Sequence, residues 1–255
     1  MTLSFNGHDL ESIAICGDPQ ISILNFKPEF KDVKARNGSL FMGSKLGSST
    51  VECTICVTGS ASERRAKLST LGSWLVVDSP KQLVLPDTPD RYYLAVPSGA
   101  VDMKRGYDGE YAQLTFTLTD PIAYSNQLRS VTSANGVAPC NVLGNAPTEF
   151  VITNAEGETV TPGQIDPQFA ANYWSVSNGS ASLNFGIGSD PGRKIIIDSE
   201  KRQCRFLLDN EYVEQWYTYL ATMPSTWFKL QPGANTITRT IGGGEFVVEW
   251  RDRWY

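Results

Sequence analysis

Histidine is almost absent from this 255-residue sequence, and its scarcity excludes several classes of enzyme. His8 is the single histidine, so the chain can build neither a histidine-rich metal site nor an HExxH motif. A Ser-His-Asp catalytic triad would need His8 as its histidine. The sequence also lacks GxSxG, P-loop and GxGxxG motifs, and "TIGGGEF" near the C-terminus is typical of a glycine-rich hairpin. We therefore expect no enzymatic activity, no cofactor and no metal.

Cysteine is also scarce, and its five positions suggest no disulfide framework. An odd number of scattered cysteines is typical of a reducing compartment. Cys53 and Cys56 have the CxxC spacing of some zinc and redox sites. In "TVECTICVT", however, Val51, Ile55 and Val57 alternate with polar residues, as in a half-buried strand. Cys53 and Cys56 then lie on opposite faces of the strand, so they cannot share a metal or a disulfide.

Long hydrophobic runs and an excess of positive charge are missing as well. The purely apolar runs, such as Trp74–Val77, are far too short to span a bilayer, and no secretory leader is visible. A net charge of −5 gives no general reason to bind nucleic acid or an anionic membrane. The 41% hydrophobic and 19% charged residues are typical of a folded protein. We expect a soluble product, made in a cytoplasm, that does not insert into membranes.

The first half of the sequence predicts β-strands and one helix. A capping box of Ser60 and Glu63 opens "SASERRAKLSTLGSWL", in which leucines and Trp74 recur at helical spacing. This pattern predicts an amphipathic helix that lies on a sheet, with Trp74 as a structural anchor in the core. The segment "YAQLTFTLTDP" alternates apolar and polar residues like a strand with one solvated face. It ends at Pro121, the second anchor, because proline cannot continue a central ladder.

The second half predicts a separate β-sandwich. The segment "SNQLRSVTSANGVAPCNVLGNAP" is rich in Ser, Asn, Gly and Pro, which places a boundary near residue 130 and gives domains 1–130 and 131–255. Pro232 and Gly233 suit the centre of a type II turn, with Gly233 as the third structural anchor. Eight short β-type segments are typical of a sandwich or small barrel: "TEFVIT", "YWSVS", "ASLNFGI", "RKIIID", "QCRFLL", "WFKLQ", "NTITRTI" and "EFVVEW". The predicted fold class is all-β with one helix.

Two functions that depend on a ligand stay open at this point. Paired carboxylates for glycoside hydrolysis could come from Asp166, Asp198, Glu211 and Glu214. Nothing singles these acids out, because a β-sandwich exposes scattered acids in any case. A sugar-binding module is the stronger alternative, since aromatic rings stack on sugars, and its candidates are Tyr173, Trp174, Trp216 and Trp227. Large aromatic side chains are more often core residues, however.

The stretch "LVLPDTPDRYYLAVPSG", residues 83–99, predicts a stiff turn followed by a strand. Its prolines fix backbone angles, its aspartates can cap the turn, and its arginine can pair with one of them. The two tyrosines are adjacent on a strand, so one should face the core and the other solvent. An exposed tyrosine beside a stiff turn suits a protein contact, although an ordinary hairpin explains the segment equally well. The candidate interface residues are Asp87, Pro89, Asp90, Arg91, Tyr92 and Tyr93.

The order of these landmarks resembles the siphophage distal tail protein (Dit) family of the tail tip or baseplate hub. A glycine-containing strand pair, a strand, a helix ending "GSWLV", the segment "LVLPDTPDRYYLAVPSG" and a strand ending "TDPIAYS" follow in the family's order. In the second half, "VLGNAPTEFVITN", "IIIDSEKRQC", "LQPGANTIT" and "VVEWRDRWY" extend the resemblance. It thus covers nearly the whole chain.

This resemblance implies an N-terminal β-sandwich or barrel-like domain that joins copies into a homohexameric ring, and a C-terminal galectin-like β-sandwich. Whether the last strand packs back on the first domain stays open. The ring would join the tail tube protein to the tail-associated tip protein, with the tape measure and receptor-binding proteins as further partners. DNA would pass through without specific binding.

The expected product is therefore a structural virion protein of a phage or prophage, located at the tail tip and assembled in the host cytoplasm. No added carbohydrate-binding insertion is visible in the sequence, so host recognition would fall to other proteins. The alternative is a carbohydrate-binding adhesion module of a phage or cell surface.

Overall fold

The computed structural model describes residues 2–22, 24–34, 37–161, 163–166, 169–186, 194–208, 211–213 and 225–255. The chain forms two compact units, which divide between Asn126 and Gln127. Antiparallel strands dominate both units, and the α-helix of the described residues lies in the first unit. The predicted fold class, all-β with one helix, is confirmed.

The first unit is a large antiparallel sheet with a helix and a separate hairpin. Its strands are β1 (Ser4–Phe5), β2 (His8–Asp9), β3 (Ile15–Cys16), β4 (Gln20–Ile21), β5 (Asn25–Asp32), β6 (Ser39–Gly47), β7 (Ser49–Val57), β8 (Lys81–Val84), β9 (Arg91–Ser98), β10 (Lys104–Arg105), β11 (Glu110–Leu118) and β12 (Ala123–Ser125). Helix α1 spans Ala61–Leu75, and a short 3-10 helix spans Leu10–Ser12. The strand order is β2-β1-β8-β9-β11-β7-β3, with β4 on β7, β10 on β11 and β12 on β9.

The core of the first unit forms because β7 and β11 present apolar side chains to the same face. Their register places Leu114 opposite Cys53 and Phe116 opposite Val51, and all four side chains are buried. Glu52 and Thr54, which lie between the buried residues of β7, are exposed. Alternation with a period of two therefore gives one dry and one wet face along this strand pair.

Helix α1 begins at the predicted capping box. The Ser60 hydroxyl accepts a hydrogen bond from the Glu63 amide at 3.4 Å, and the Glu63 carboxylate accepts one from the Ser60 amide at 2.7 Å. These two bonds satisfy backbone donors that the first helical turn leaves free. Leu71, which is 3% exposed, attaches the helix to the core, while Trp74 is half-buried and stacks on His8 with ring centroids 4.6 Å apart.

All strands of the second unit except the last, β24, form two antiparallel sheets. Its strands are β13 (Arg129–Thr132), β14 (Val137–Val142), β15 (Phe150–Asn154), β16 (Gly163–Asp166), β17 (Phe169–Ser177), β18 (Ser182–Gly186), β19 (Lys194–Asp198), β20 (Gln203–Leu208), β21 (Glu211–Val213), β22 (Gly233–Ile241), β23 (Phe246–Trp250) and β24 (Arg253–Trp254). One sheet has the order β13-β23-β15-β19-β20-β21. The other has the order β14-β22-β17-β16, with β18 also paired to β17.

Side chains of both sheets form the core of the second unit. Phe150, Ile197 and Val248 come from the first sheet, and Trp174 and Ile237 come from the second. The Trp174 ring meets Phe246 edge-on at a centroid distance of 5.8 Å, a favoured geometry for buried aromatic pairs. This core shares no residue with that of the first unit.

The second half differs from the sequence patterns in two places. The segment taken as the domain boundary contains β13 and β14, which were not among the strands expected, and β14 buries Ala138, Cys140 and Val142 on alternate positions. These small residues gave a weak hydrophobic pattern between polar neighbours. Conversely, "WFKLQ" is not a strand, because its only backbone bridge in the described structure joins Leu230 to Thr148. Its apolar side chains instead fill the core from an irregular segment.

Candidate subunit interface

The turn before β9 is fixed by backbone hydrogen bonds. The Thr88 amide donates to the Leu85 carbonyl at 3.3 Å, and the Asn126 side chain donates to the Pro89 carbonyl at 2.8 Å. Arg91 pairs with Asp90 at 3.3 Å. Asp87, Pro89 and Asp90 are exposed. These bonds thus fix the turn, which presents two carboxylates and a proline ring to solvent.

Tyr92 and Tyr93 point to opposite sides of β9, but neither is fully exposed. Tyr92 is 9% exposed and stacks on Tyr124, with ring centroids 5.5 Å apart. Tyr93 is half-buried against the first core, and this burial, together with the nearby Asp87 carboxylate, raises the pKa of its hydroxyl. A protein contact at this turn would therefore use mainly the exposed groups, and the interface role of the segment stays a prediction.

Pro121 and Gly233, two of the residues predicted to be structural anchors, both lie at bends of the chain. Pro121 is buried in a bend three residues after the end of β11. Gly233 has a φ of 91°, which fits the third position of a type II turn after Pro232. Glycine suits this position because side chains destabilise a positive φ.

The hairpin of β5 and β6 is a surface that the sequence reasoning missed. All eight residues of β5 are exposed, and several exposed aromatic and aliphatic side chains cluster on the two strands: Phe26, Phe30, Phe41 and Met42. The strand register places Phe26 opposite Leu46 and Phe30 opposite Phe41. The available signal was the period-two alternation of apolar and charged residues in "NFKPEFK".

The hairpin has two chemically different faces. Alternate residues of β5 and their cross-strand partners make one face mainly apolar. Its apolar residues are Phe26, Pro28, Phe30, Phe41 and Leu46, and Ser44 lies opposite Pro28. The Phe30 and Phe41 rings meet edge-on with centroids 6.0 Å apart. The other face is charged and includes the Lys45–Glu29 ion pair at 3.0 Å. We call residues 25–47 the hairpin and this first set its apolar face.

A groove lies in the same unit, between helix α1 and strands β9 and β11. Its volume is about 390 Å³, and its lining is mainly apolar. The helix contributes Leu68, Leu71 and Leu75, and the loop after β9 contributes Val101. Val76, at the end of the helix, lines the groove and is 83% exposed. We call this recess the helix groove.

Among the acids considered for glycoside hydrolysis, Asp198 is the one whose side chain the structure describes. Asp198 binds Lys201 at 3.2 Å and accepts the Lys201 amide at 3.0 Å, as expected of a turn carboxylate. The side chains of Asp166 and Glu211, and all of Glu214, lie outside the described residues. Within the described ranges, no three His, Cys, Asp or Glu side chains are grouped closely enough to hold a metal ion.

The aromatic residues considered for sugar binding are in part core residues. Trp174 is 1% exposed and donates its ring N–H to the Gly243 carbonyl at 3.3 Å. Trp227 is half-buried against the second core. The side chain of Tyr173 and the whole of Trp216 lie outside the described residues. Trp174 therefore has no open face on which a sugar could stack.

The two CxxC cysteines lie on opposite faces of β7. Cys53 lies in the first core, whereas Cys56 lies opposite Tyr111 of β11 on the other side of the strand. All five cysteines are free thiols. No helix in the part of the chain that the structure describes is long and apolar enough to cross a membrane.

Comparison with protein families assigns both units. Residues 8–119 match the phage tail protein RIFT-related domain, and residues 144–254 match the C-terminal domain of the siphovirus-type tail component. The chain belongs to the siphophage distal tail protein family. It is a structural component of a phage tail tip. No curated protein sequence matches the chain.

Solved structures agree with this family at the level of the fold. The crystal structure of Dit from phage SPP1, described as a paradigm of the hub adsorption apparatus in phages that infect Gram-positive bacteria, matches with a TM-score of 0.77. The match has 16% identity and covers 100% of this chain and 99% of that one. The activated, Ca-containing baseplate of phage P2 matches at 8% identity and a TM-score of 0.48, over 96% and 92% of the two chains. The latter score is too low to establish a shared fold.

Proposed function

We propose that the protein is the ring-shaped hub of a siphophage tail tip, a homohexamer that joins the tail tube protein to the tail-associated tip protein. The observation that carries this proposal is the match of a tail-protein family model to each of the two units. The fold shared with SPP1 Dit, a protein described as a hub of the adsorption apparatus, supports it. The tape measure and receptor-binding proteins are the further partners, and assembly takes place in the host cytoplasm.

The charge of the chain suits a ring through which DNA passes. Each copy carries −5, so a ring of six copies has a negative field that opposes retention of phosphate. DNA therefore crosses the ring without specific binding.

The proposed hub has no catalytic role, and host recognition belongs to other proteins of the tip. The chain and SPP1 Dit align over 100% and 99% of their lengths, which supports a role as a hub for both. The adhesion alternative is less well supported, because Trp174 is a core residue.

The mass of the assembly tests this proposal. Light scattering and electron microscopy of the purified protein, alone and co-produced with its tail partners, should show closed rings of six 28.0 kDa subunits. A protein that stays monomeric in both preparations would contradict the hub. Binding of that monomer to host cell-wall glycans would then establish the adhesion alternative.

A further inference from the structure

Two cysteines of the first unit lie side by side, although they are far apart in the sequence. Cys16 ends β3, and the register of β3 on β7 places it opposite Ile55. Residues directly opposite each other in an antiparallel pair point to the same face, and so do residues two positions apart on one strand. Cys16 therefore shares a face with Cys53, two residues before Ile55, and both side chains contact the first core.

The contacts of Cys53 hold its sulfur against the end of β3. The Cys53 thiol donates to the Gly17 carbonyl at 3.3 Å, and Gly17 follows Cys16 directly. The Gly17 amide in turn donates to the Thr54 carbonyl at 2.8 Å. The Cys53 sulfur also accepts a hydrogen bond from the Cys16 thiol. The two thiols thus form a pair that is distinct from the CxxC pair, whose members lie on opposite faces of β7.

The contact between the two thiols changes how easily they lose their protons. The hydrogen bond from Cys16 lowers the pKa of the Cys53 thiol, and the same bond, together with burial, raises the pKa of Cys16. By contrast, burial alone raises the pKa of Cys140, in the second unit, to about 12. The thiolate is the reactive form of cysteine. The pair is therefore more readily oxidised than the single buried thiol of Cys140.

The position of β3 allows a bond between the two sulfurs. Diagonal neighbours in a regular ladder have Cα atoms about 7–8 Å apart, and a disulfide needs about 4.4–6.8 Å. A short movement of β3 toward β7 closes this gap. Because β3 has only two residues and ends the strand order of its sheet, it can move without displacing a further strand. Cys16 is also partly exposed and thus accessible to an oxidant, whereas Cys53 is 1% exposed.

The proposed function takes the protein from a reducing to an oxidising environment. It is assembled in a cytoplasm, where thiols stay reduced, and it acts outside the cell, where disulfides persist. We propose that Cys16 and Cys53 form a disulfide bond in an oxidising environment, with a small-molecule disulfide such as oxidised glutathione as the oxidant. The bond lies within one copy, locks β3 onto β7 and encloses residues 17–52, which include the hairpin.

The bond forms by two thiol–disulfide exchanges. The Cys16 thiolate attacks the small disulfide, whose S–S bond breaks, so that a mixed disulfide forms and one small thiol leaves. The Cys53 thiolate then attacks the Cys16 sulfur and expels the second small thiol. The two cysteines together lose two protons and two electrons, which convert one small disulfide into two small thiols.

Controlled oxidation of the full chain tests the proposal. The wild type, Cys16→Ser and Cys56→Ser are equilibrated with mainly reduced or mainly oxidised glutathione, alkylated, digested and examined by mass spectrometry. Mainly oxidised glutathione should produce a peptide that links Cys16 to Cys53 in the wild type and in Cys56→Ser. Mainly reduced glutathione should produce none. Cys56→Ser is the matched control, because Cys56 lies on the other face of β7, opposite Tyr111.

Thermal melting of the wild type gives a second measurement that does not depend on a variant. A disulfide that encloses a loop of this length should raise the melting temperature of the first unit by roughly 5–15 °C, because it constrains the unfolded chain. Dithiothreitol should reverse the rise, and Cys16→Ser should show none. Equal melting temperatures of the linked and the reduced wild type would show that the bond does not lock β3 onto β7.

Three results of the oxidation would overturn the proposal. They are two thiols that both remain open to alkylation, a glutathione adduct that persists on Cys16, and a link from Cys16 to Cys56 or to a second copy. The bond lies within one copy, so none of these results bears on the ring. The mass of the assembly tests the hub separately.

Discussion

At the scale of single residues, Leu71 and Trp74 contribute differently to the attachment of helix α1. Leu71 is 3% exposed, whereas Trp74 is half-buried and stacks on His8. We expect Leu71→Ala to lower the free energy of unfolding by about 2–5 kcal/mol, the cost of deleting a buried leucine. Trp74→Ala should cost about 1–3 kcal/mol, since part of its ring is already in water. Urea unfolding of both variants measures these free energies. A larger loss for Trp74→Ala than for Leu71→Ala would contradict the expected order.

Asp252 is a buried carboxylate on which three donors converge. Its side chain is 2% exposed, and it accepts hydrogen bonds from Arg129 Nε at 2.5 Å, the Leu143 amide at 3.0 Å and the Trp250 ring N–H at 3.3 Å. Asp252→Ala leaves these donors without their acceptor and should cost about 3–5 kcal/mol.

An exposed ion pair provides the control for Asp252. Lys45 and Glu29 pair at 3.0 Å, with side chains 78% and 59% exposed. Lys45→Ala should therefore change the free energy of unfolding by about 0–1 kcal/mol, because water screens the pair. Equal losses for Asp252→Ala and Lys45→Ala in denaturant unfolding would show that burial does not set the strength of the Asp252 cluster.

At the scale of elements, helix α1 offers two substitutions of opposite sign. A Cβ at Gly72 would meet no atom within 4 Å, so Gly72→Ala should stabilise the protein by about 0.5–1 kcal/mol through helix propensity. Ser60→Ala removes the hydroxyl of the capping box and should destabilise it by about 0.5–2 kcal/mol. Thermal melts report both changes. Shifts of the melting temperature in the same direction would be inconsistent with a helix that Ser60 caps and that continues through Gly72.

Elements with a strong local pattern could be predicted from the sequence. The alternation of Val51, Cys53 and Ile55 in β7 and the capping box at Ser60 each follow from a few neighbouring residues. The strand at 137–142 was missed, although Asn135 and Gly136 before it have φ values of 54° and 74°, as in the tight Asn-Gly turn of a hairpin. The turn chemistry was thus visible, but the small buried residues of β14 produced little hydrophobic signal.

The candidate interface at residues 87–93 stays a prediction, but the burial of its tyrosines could not be read from the sequence. The prolines of the turn around Asp90 predict a stiff surface feature. Tyr92 beside this turn is nevertheless buried against Tyr124, a residue more than thirty positions away in the sequence. Burial of this kind depends on a distant partner and cannot be read locally. The apolar face of the hairpin does show a period-two pattern, which also fits a strand that buries its phenylalanines in the chain's own core. Only the three-dimensional arrangement shows that these side chains are exposed.

At the scale of the whole molecule, each unit has its own hydrophobic core. Both units, of about 125 residues, are of a typical size for an independently folding domain. The exposed hairpin and the helix groove both belong to the first unit, which is the ring-forming domain of the proposed hub. Ring formation and the β-sandwich are therefore assigned to different parts of the chain.

This assignment predicts different behaviour for the two units when they are produced separately. Residues 127–254 should fold into a monomer with a cooperative thermal transition, because the core around Trp174 and Phe246 lies entirely within them. Residues 2–126 should form the oligomer of the full chain. Light scattering and melting curves of both fragments provide the measurement. Rings formed by residues 127–254, or a folded fragment 2–126 that remains monomeric while the full chain assembles, would place the ring contacts outside the first unit.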